Sequence, residues 1–386
     1  MGFPSFLIHP MRYMRTRPFA KSAVQTYVRT AGRAPLPTMA DVQRIQNIVF
    51  PAYNDAISVI PFEKRPQRPT AMLVQECSLA IHVGMYTAFG RNAYVLSPRL
   101  VELLDRTDLG AVRAGDIRLP FGAFYLSFSD AFDAILPGPP NRIDGAYVSL
   151  SGPDKLQILV TTRRLDARTN TSVRWPFSRD LYYYAPLDID GHDRSFDEIL
   201  AAAVGTEIKL ETEITEPDPD FIAEIPDGRE VLVQSVRHLT EAEQAEYARE
   251  GLPAFRRTLA LIVNALCYMT AEPQDSAVDF PDDAPADLIE AVKSRKPSQR
   301  DRAKAQMLDR GFSFIRVVGN ALPAHDLPSD STGHSGGTVR PHWRRGHWRR
   351  QPHGPGRSEI RLLWIRPTLV KADAGEAETG HIYRME

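Results

Sequence analysis

The residues with the clearest chemical potential lie near the C-terminus, in the segment His-Trp-Arg-Arg-Gly-His-Trp-Arg-Arg from His342 to Arg350. The unit His-Trp-Arg-Arg occurs twice there, and the second copy starts five residues after the first. A guanidinium group bonds two oxygens of a phosphate or carboxylate at once, and Trp and Arg planes stack on unpaired bases. The segment therefore predicts an anion-binding surface. The predicted binding residues are Arg340, His342, Trp343, Arg344, Arg345, His347, Trp348, Arg349, Arg350, Arg357 and Trp364.

The charge of the chain is distributed unevenly. From Gly336 to Val370 there are eight Arg and one acidic residue, Glu359, so this window carries +7 in a chain of net charge −1. Residues 1–38 carry six basic residues and no acidic one, which leaves −14 for the rest. Such a basic window favours a nucleic-acid backbone or an acidic protein surface as partner. One alternative stays open: the Trp side chains are buried, and the Arg side chains pair with the acidic body as an internal clamp.

The orientation of the two tryptophans is also open. On one straight strand, Trp343 and Trp348 would point to opposite faces, because side chains alternate with a period of two. In a loop closed at Gly346, both rings could face one groove.

Three histidines, His342, His347 and His353, accompany the arginines. Their spacing matches no common zinc pattern and no Cys lies nearby, so the sequence predicts no metal site and no cofactor. His and Arg together can cleave RNA, with one His as general base, another as general acid and Arg on the phosphate. The leading interpretation is a binding protein, and for it no catalytic residue is predicted. The alternative is a small RNase or toxin-like enzyme that uses His342 and His347.

The composition is typical of a soluble globular protein, with 43% hydrophobic and 25% charged residues. The longest apolar run, Leu259 to Met269, is interrupted by Asn264 and is shorter than the roughly 20 residues that span a bilayer, so no membrane partner is expected. Two cysteines, Cys77 and Cys267, lie inside apolar runs. They indicate a reducing compartment rather than a disulfide framework.

Helical and strand patterns are clustered rather than alternating, which predicts an α+β fold. We expect helical N-terminal and central segments around a mixed or antiparallel sheet, with a basic C-terminal loop-strand unit. The expected divisions are a basic N-terminal arm over residues 1–38, an α+β body over 39–319, a linker over 320–338 and the Arg/Trp/His unit over 339–386.

Local patterns predict the elements that must position the Arg/Trp segment. A nearly all-apolar helix is expected over residues 70–89, a hairpin over 146–161 and a second apolar helix over 253–268. Ser97 and the proline after it predict a helix start. Alternation over 359–365 predicts a strand directly after the basic segment.

Two other groups favour a structural role. His82 lies in an apolar helix, where a histidine is usually a hydrogen-bonded core residue. The segment Asp-Ile-Asp-Gly-His-Asp over residues 188–193 resembles an acidic site, but its Gly and Asp content is typical of a turn.

The C-terminal pattern resembles a known family. Val339-Arg-x-His-Trp-Arg-Arg-Gly-His-Trp-Arg-Arg-Gln, followed by Gly354-x-Gly and Leu363-Trp-Ile-x-Pro, is similar to the ending of phage- and plasmid-borne proteins that include a type V-A anti-CRISPR family. That family lowers the messenger RNA of the CRISPR effector nuclease. Leu119-Pro-Phe-x-Ala-Phe-Tyr-Leu-x-Phe128 is also similar to a segment of that group. The basic N-terminus has no counterpart that we can match.

The resemblance implies a bacterial cytoplasmic protein with an α+β body. It implies recognition of the nascent nuclease during translation, followed by loss of the message, without a nuclease site in the protein itself. The residues that carry over are the His, Trp and Arg side chains of 342–350. The leading hypothesis is thus a mobile-element-encoded binding protein whose partner is RNA or a ribosome-nascent-chain complex of a CRISPR nuclease.

Overall fold

A computed structural model of the chain describes residues 8–34, 36–58, 69–128, 130–136, 141–164, 182–211, 213–224, 230–238, 242, 245, 247–322 and 342–370. Helices and strands occupy separate blocks around a mixed sheet, which confirms the predicted α+β class. Most of the predicted linker and both ends of the predicted C-terminal unit lie outside the described residues.

The helices are, in chain order, α1 (His9–Thr16), α2 (Ala20–Thr30), α3 (Met39–Ser58), α4 (Pro69–Ala88), α5 (Pro98–Asp105), α6 (Phe196–Glu211), α7 (Leu252–Ala271), α8 (Ala286–Val292) and α9 (Pro297–Asp309). The predicted start at Ser97 is confirmed, because its hydroxyl accepts a hydrogen bond from the Leu100 amide at 3.2 Å. The two predicted apolar helices are confirmed as α4 and α7.

The strands are β1 (Asn92–Leu96), β2 (Thr107–Asp108), β3 (Ala123–Ser127), β4 (Ile135–Leu136), β5 (Asn141–Leu150), β6 (Lys155–Arg164), β7 (Tyr182–Asp188), β8 (Glu213–Glu224), β9 (Glu230–His238), β10 (Ser276–Asp279), β11 (Phe314–Val318), β12 (His342–Arg344), β13 (Gly346–His353), β14 (Glu359–Ile365) and β15 (Thr368–Val370). The main sheet has the order β10-β11-β1-β3-β5-β6-β7, with β4 paired to β5. β1 is parallel to both of its neighbours, and the other pairs are antiparallel. The predicted hairpin is confirmed as β5–β6.

The centre of the main sheet is buried on both faces. Side chains of β1 alternate, so that Ala93 and Val95 pack with α1–α4 while Tyr94 and Leu96 pack with α5–α7. In keeping with this double burial, all five residues of β1 are buried, and Ala93, Val95 and Leu96 are apolar.

The basic N-terminus belongs to this packed body. The sequence predicts an arm over residues 1–38, but Tyr13 and Tyr27 are fully buried in the helical layer and Arg12 forms an ion pair with Asp144 at 2.5 Å. Its basic residues are interleaved with an apolar stripe of helical period, and that stripe determines the packing. Charge alone gave no sign of the burial.

Other predictions concern single residues of the core. His82 is buried, and its Nδ1 bonds the Ser78 carbonyl at 2.8 Å, as expected for a core histidine. Cys77 and Cys267 are buried free thiols in different clusters. Within the described parts of the chain, no helix is both long and apolar enough to cross a bilayer.

Candidate functional site

The described C-terminal unit, residues 342–370, consists of two small strand pairs joined to the body. The first copy of the repeat lies on β12, which pairs with β15. The second copy lies on β13, which pairs antiparallel with β14 and parallel with β2 of the body. The strand predicted over Glu359–Ile365 is confirmed as β14. A strand interruption at Arg345 separates the two copies, so they do not share one straight strand.

Gly346 lies at a close contact between the unit and the body. Its amide donates to the Arg106 carbonyl at 3.1 Å. A Cβ at this position would lie 2.6 Å from Cδ of Pro367 and 2.8 Å from Oγ1 of Thr107. Both distances are shorter than a carbon side chain tolerates, so the glycine between the two copies is required by packing.

Trp348 is buried and anchors the unit. It is 1% exposed, and its Nε1 donates to Oδ1 of Asn264 on α7 at 2.7 Å. Asn264 donates in turn to the carbonyls of Leu104 and Thr107 at 3.0 and 2.9 Å. A partner at the surface cannot reach this indole, so the predicted stacking role of Trp348 conflicts with its position. Its role in the structure is to attach β13 to the core.

Trp364 extends the anchor. It lies directly across the strand pair from Trp348, with ring centroids 6.3 Å apart and nearly parallel planes. Its edge meets Tyr268 at 5.1 Å, and its Nε1 donates to the Thr107 hydroxyl at 3.2 Å. Burial, together with a hydrogen bond to Asp275, raises the pKa of Tyr268, so this phenol stays protonated.

Trp343 has a different environment from its counterpart in the second copy. It is half-buried, and the guanidinium of Arg106 lies 4.2 Å from its ring centroid. Arg99 lies 5.8 Å from the same centroid. These cation–π contacts use cations of the body, and they occupy ring surface that the sequence predicts for a ligand.

Arg350 bridges the unit to the body. Its Nη1 lies 2.5 Å from Oδ2 of Asp116, and the Asp116 side chain is 11% exposed. The same carboxylate accepts the backbone amide of Arg113 at 2.9 Å. For this one arginine, the structure matches the internal-clamp alternative.

The remaining arginines of the unit face solvent. Among the residues that the structure describes, no carboxylate pairs with Arg344, Arg345, Arg349, Arg357 or Arg361, and all five are exposed. Arg366 is exposed as well and lies 5.7 Å from the Trp364 centroid.

Alternation along β13 and β14 separates these groups into two faces. Trp348 and Trp364 point into the body, and the neighbouring residues point outward. On the side that alternates with the inward-pointing tryptophans, we define the outer face as His347, Arg349, Arg361, Leu363 and Ile365; Gln351, His353 and Glu359 continue the same side toward the end of the hairpin. It combines two guanidiniums and a histidine with two apolar side chains, which suits a ligand that is both anionic and partly apolar.

A cavity of about 390 Å³ lies between the unit and the body; its lining includes Arg350, Ile360 and Leu362, which are on the same side of the strands as the tryptophans, and it reaches the outer face at Arg361. Its lining includes His353 and Arg361 from the unit, and Arg118 and His192 from the body. The segment containing His192 forms the predicted turn, with Gly191 at a φ of +76°. Sequence inspection did not connect His192 with the C-terminal unit, because the two are distant in the chain.

The predicted binding residues therefore divide into three sets. Trp348, Trp364 and Arg350 contact the body, whereas Trp343 is partly covered by arginines. Arg340 and the side chain of His342 lie outside the described part of the chain. Exposed and open to a partner are Arg344, Arg345, His347, Arg349 and Arg357.

Sequence reasoning missed the residues of the body that receive the unit. The signal for one of them was present: Asn264 is the single amide in the apolar run of α7, and a buried amide needs hydrogen-bond partners. Asp116 and Thr107 carried no comparable signal.

In the described residues, no group of three or more His, Cys, Asp or Glu side chains is placed to hold a metal ion. The histidines of the unit are not clustered with carboxylates or thiols there, apart from a contact of 3.4 Å between His353 and Glu359.

Comparison with known proteins gives the family. The model of the anti-CRISPR type V subtype A2 family (AcrVA2-like) matches residues 94–372, which begin within β1 and include the whole described C-terminal unit. Among solved structures, the chain is similar to the crystal structure of AcrVA2, with 13% identity, a TM-score of 0.39 and coverage of 94% of this chain and 100% of that chain. No curated protein matches the sequence. Because the matched range is well over half of its length, the chain belongs to the anti-CRISPR type V subtype A2 family, and its function is anti-CRISPR.

Proposed function

We propose that this mobile-element protein suppresses a type V-A CRISPR effector nuclease by binding its messenger RNA, or the ribosome-nascent-chain complex that translates it, in the cytoplasm. Binding leads to loss of the message. Family membership supports the anti-CRISPR part of this proposal. The outer face supports the part that concerns the ligand.

The observation that carries the proposal is the set of exposed arginines that lack ion-pair partners in the described residues. Arg349 and Arg361 project from strands that are fixed to the body by Trp348 and Trp364. A rigid scaffold that presents guanidiniums needs little ordering to bind phosphates. Leu363 and Ile365, the latter 37% exposed, add apolar surface for bases or for a peptide side chain.

RNA binding by the purified protein tests the phosphate contacts. The double variant Arg349→Ala/Arg361→Ala should bind a labelled RNA more weakly than wild type. The slope of log K against log[salt] should be smaller in magnitude by about 1.4, because each lost single-strand phosphate contact removes about 0.7 from that slope. Arg29→Ala/Arg302→Ala, which removes exposed arginines of α2 and α9, is the matched control. Equal, salt-independent binding by all three proteins would refute phosphate recognition.

A reporter assay separates RNA recognition from nascent-chain recognition. The start of the nuclease gene is fused to a reporter and expressed with the protein in bacteria. Synonymous recoding changes the RNA and preserves the peptide, whereas paired frameshifts preserve most of the RNA and change the peptide. If the peptide is the ligand, message loss survives recoding and disappears with the frameshift. The opposite outcome identifies RNA, and no loss with the native start refutes the proposal.

One observation favours an enzymatic alternative that uses other histidines than the predicted His342 and His347. His192, His353, Arg118 and Arg361 line a single cavity. In RNA cleavage, one imidazole would take the 2′-hydroxyl proton while that oxygen attacks phosphorus, and the other would protonate the departing 5′-oxygen, giving a cyclic phosphate and a 5′-hydroxyl.

Incubation with labelled RNA decides between the two functions. Turnover that is lost in His192→Ala and His353→Ala would assign an RNase to the cavity, and turnover that is lost in His347→Ala would assign it to the outer face. Binding without turnover supports the binding protein.

A further inference from the structure

A second cavity, of about 560 Å³, lies at the edge of the main sheet and not at the C-terminal unit. It is bounded by β10 and β11, the first two strands of the sheet order, and by residues of α9 and of the C-terminal end of α8. It shares no lining residue with the cavity between the unit and the body. Its volume is within the range of about 300–1,000 Å³ that is usual for small-molecule sites.

The polar part of this second cavity is cationic. Among the described residues, it is lined by Lys293, Arg300, Lys304 and Arg316 and by no Asp or Glu. Arg300 and Lys304 are four residues apart on α9, so they lie on one side of the helix. A lining with four cations and no carboxylate attracts an anion and repels a cation.

Acidic residues outside the lining neutralise only part of this charge. Lys293 contacts Glu290 at 3.2 Å and Arg300 contacts Asp301 at 3.8 Å, both at exposed positions. Within the described residues, Lys304 and Arg316 have no ion-pair partner.

The guanidinium of Arg316 has an unsatisfied hydrogen-bond donor. Its Nε is buried and has no acceptor within the described residues. A buried donor without an acceptor is unfavourable, because it has given up water without a replacement, although Nη1 of Arg91 and Nε of Arg142 are in the same situation. An anionic oxygen in the cavity would satisfy it.

The apolar part of the cavity is aromatic. Phe121, Phe280 and Phe314 line it, together with Val278. Val278 is 59% exposed, which is unusual for a large aliphatic side chain on a strand of the main sheet. Aromatic and aliphatic walls of this kind bind a planar ring through stacking and exclusion of water.

We propose that this second cavity binds a nucleoside phosphate. The base would contact the phenylalanine side chains and Val278, and the phosphate would contact Arg300, Lys304 and Arg316. Inorganic phosphate would leave the aromatic walls unused, and a nucleoside would leave the cations unused. The ligand class follows from both halves of the lining, and it is independent of the function proposed for the outer face.

Isothermal titration of the full chain with adenine and guanine nucleotides tests the proposal, with adenosine and inorganic pyrophosphate as partial ligands. Saturable nucleotide binding is expected, with both partial ligands weaker by about tenfold or more, which corresponds to one strong contact. Lys304→Ala/Arg316→Gln should weaken nucleotide binding by about tenfold or more. Arg295→Ala/Arg302→Ala removes exposed cations outside the lining and should change nothing.

A substitution at an exposed position tests the same cavity in a variant that is expected to remain folded. Val278→Glu places a carboxylate in the cavity mouth and should abolish nucleotide binding, while Val278→Gln, similar in size but uncharged, should retain most of it. Circular dichroism verifies that both variants are folded.

Three results would overturn the proposal. They are absence of saturable nucleotide binding, equal affinity for pyrophosphate, and binding that is unchanged in Val278→Glu. If Arg349→Ala/Arg361→Ala abolishes nucleotide binding and Lys304→Ala/Arg316→Gln does not, the nucleotide occupies the outer face instead. RNA binding that persists in Val278→Glu shows that the two sites are separate.

Discussion

Replacing Asn264 by Ala tests whether a buried hydrogen-bond network holds the C-terminal unit to the body. Asn264 is 1% exposed and accepts the Trp348 indole N–H at 2.7 Å. Its amide nitrogen donates to the carbonyls of Leu104 and Thr107 at 3.0 and 2.9 Å. The substitution therefore removes the side-chain partner of three groups in the interior.

The magnitude follows from the number of groups that lose a partner. Each buried polar group left unsatisfied costs about 1–3 kcal/mol. The Leu104 carbonyl also accepts the Arg106 amide, so its loss should be the smallest. Counting chiefly the Trp348 N–H and the Thr107 carbonyl, we expect Asn264→Ala to lower the free energy of unfolding by about 3–4 kcal/mol.

A double-mutant cycle isolates the link between α7 and β13. Trp348→Phe removes the indole N–H and keeps an aromatic ring, so its effect should shrink when Asn264 is already Ala. We expect a coupling energy of about 1–2 kcal/mol. Urea unfolding followed by far-ultraviolet circular dichroism measures wild type, both single variants and the double variant. Asn320→Ala, at an exposed position, is the control and should change stability by less than about 0.5 kcal/mol.

Two outcomes would refute this reasoning. One is a loss of less than about 1 kcal/mol in Asn264→Ala, the lower limit for a single unsatisfied buried group. The other is strict additivity in the cycle, which would show that the indole and the amide do not act together. In either case, the unit would be attached chiefly by Trp364 or by strand pairing with β2.

Three further predictions concern close packing and buried titratable groups. Gly346→Ala should lower the free energy of unfolding by about 1–3 kcal/mol, because a Cβ there would lie 2.6 Å from Cδ of Pro367; wild-type stability in urea unfolding would contradict this. Burial, helped by two nearby arginines, lowers the pKa of His9 well below 6.5. Below that pH the unfolded chain binds a proton at this residue that the folded chain does not. As the pH is lowered, this group should therefore decrease the free energy of unfolding by up to about 1.4 kcal/mol per pH unit. His9→Gln should reduce the difference between urea unfolding at about pH 7.5 and about pH 5.5, and an unchanged difference would contradict the assignment. Burial raises the pKa of Cys77 to about 12 and that of Cys267 further, so neither thiol should react with a thiol reagent at neutral pH until urea is added. Rapid labelling of the native protein would contradict their burial.

Local sequence was sufficient to predict an element where its pattern is compatible with only one type of secondary structure. The cap at Ser97, the apolar helix α7 and the strand Glu359–Ile365 all formed as predicted, because capping and periodicity act over a few residues. The basic N-terminus shows the opposite case. Its charges predicted an arm over residues 1–38, but the apolar stripe that includes Tyr27 packs α2 into the core. The prediction rested on the charge of this segment and did not take into account the helical spacing of its apolar residues.

The candidate site divides in the same way. The sequence by itself determined the chemistry of the unit: its arginines, its two identical His-Trp-Arg-Arg copies and the strand beside them. It did not determine which copy faces inward, because the two copies are locally the same. Tertiary structure decided that, since only Trp348 meets Asn264, 84 residues away in the chain, while Trp343 meets Arg106. A contact with a distant partner distinguishes two identical motifs, and it leaves the exposed arginines around them for a ligand.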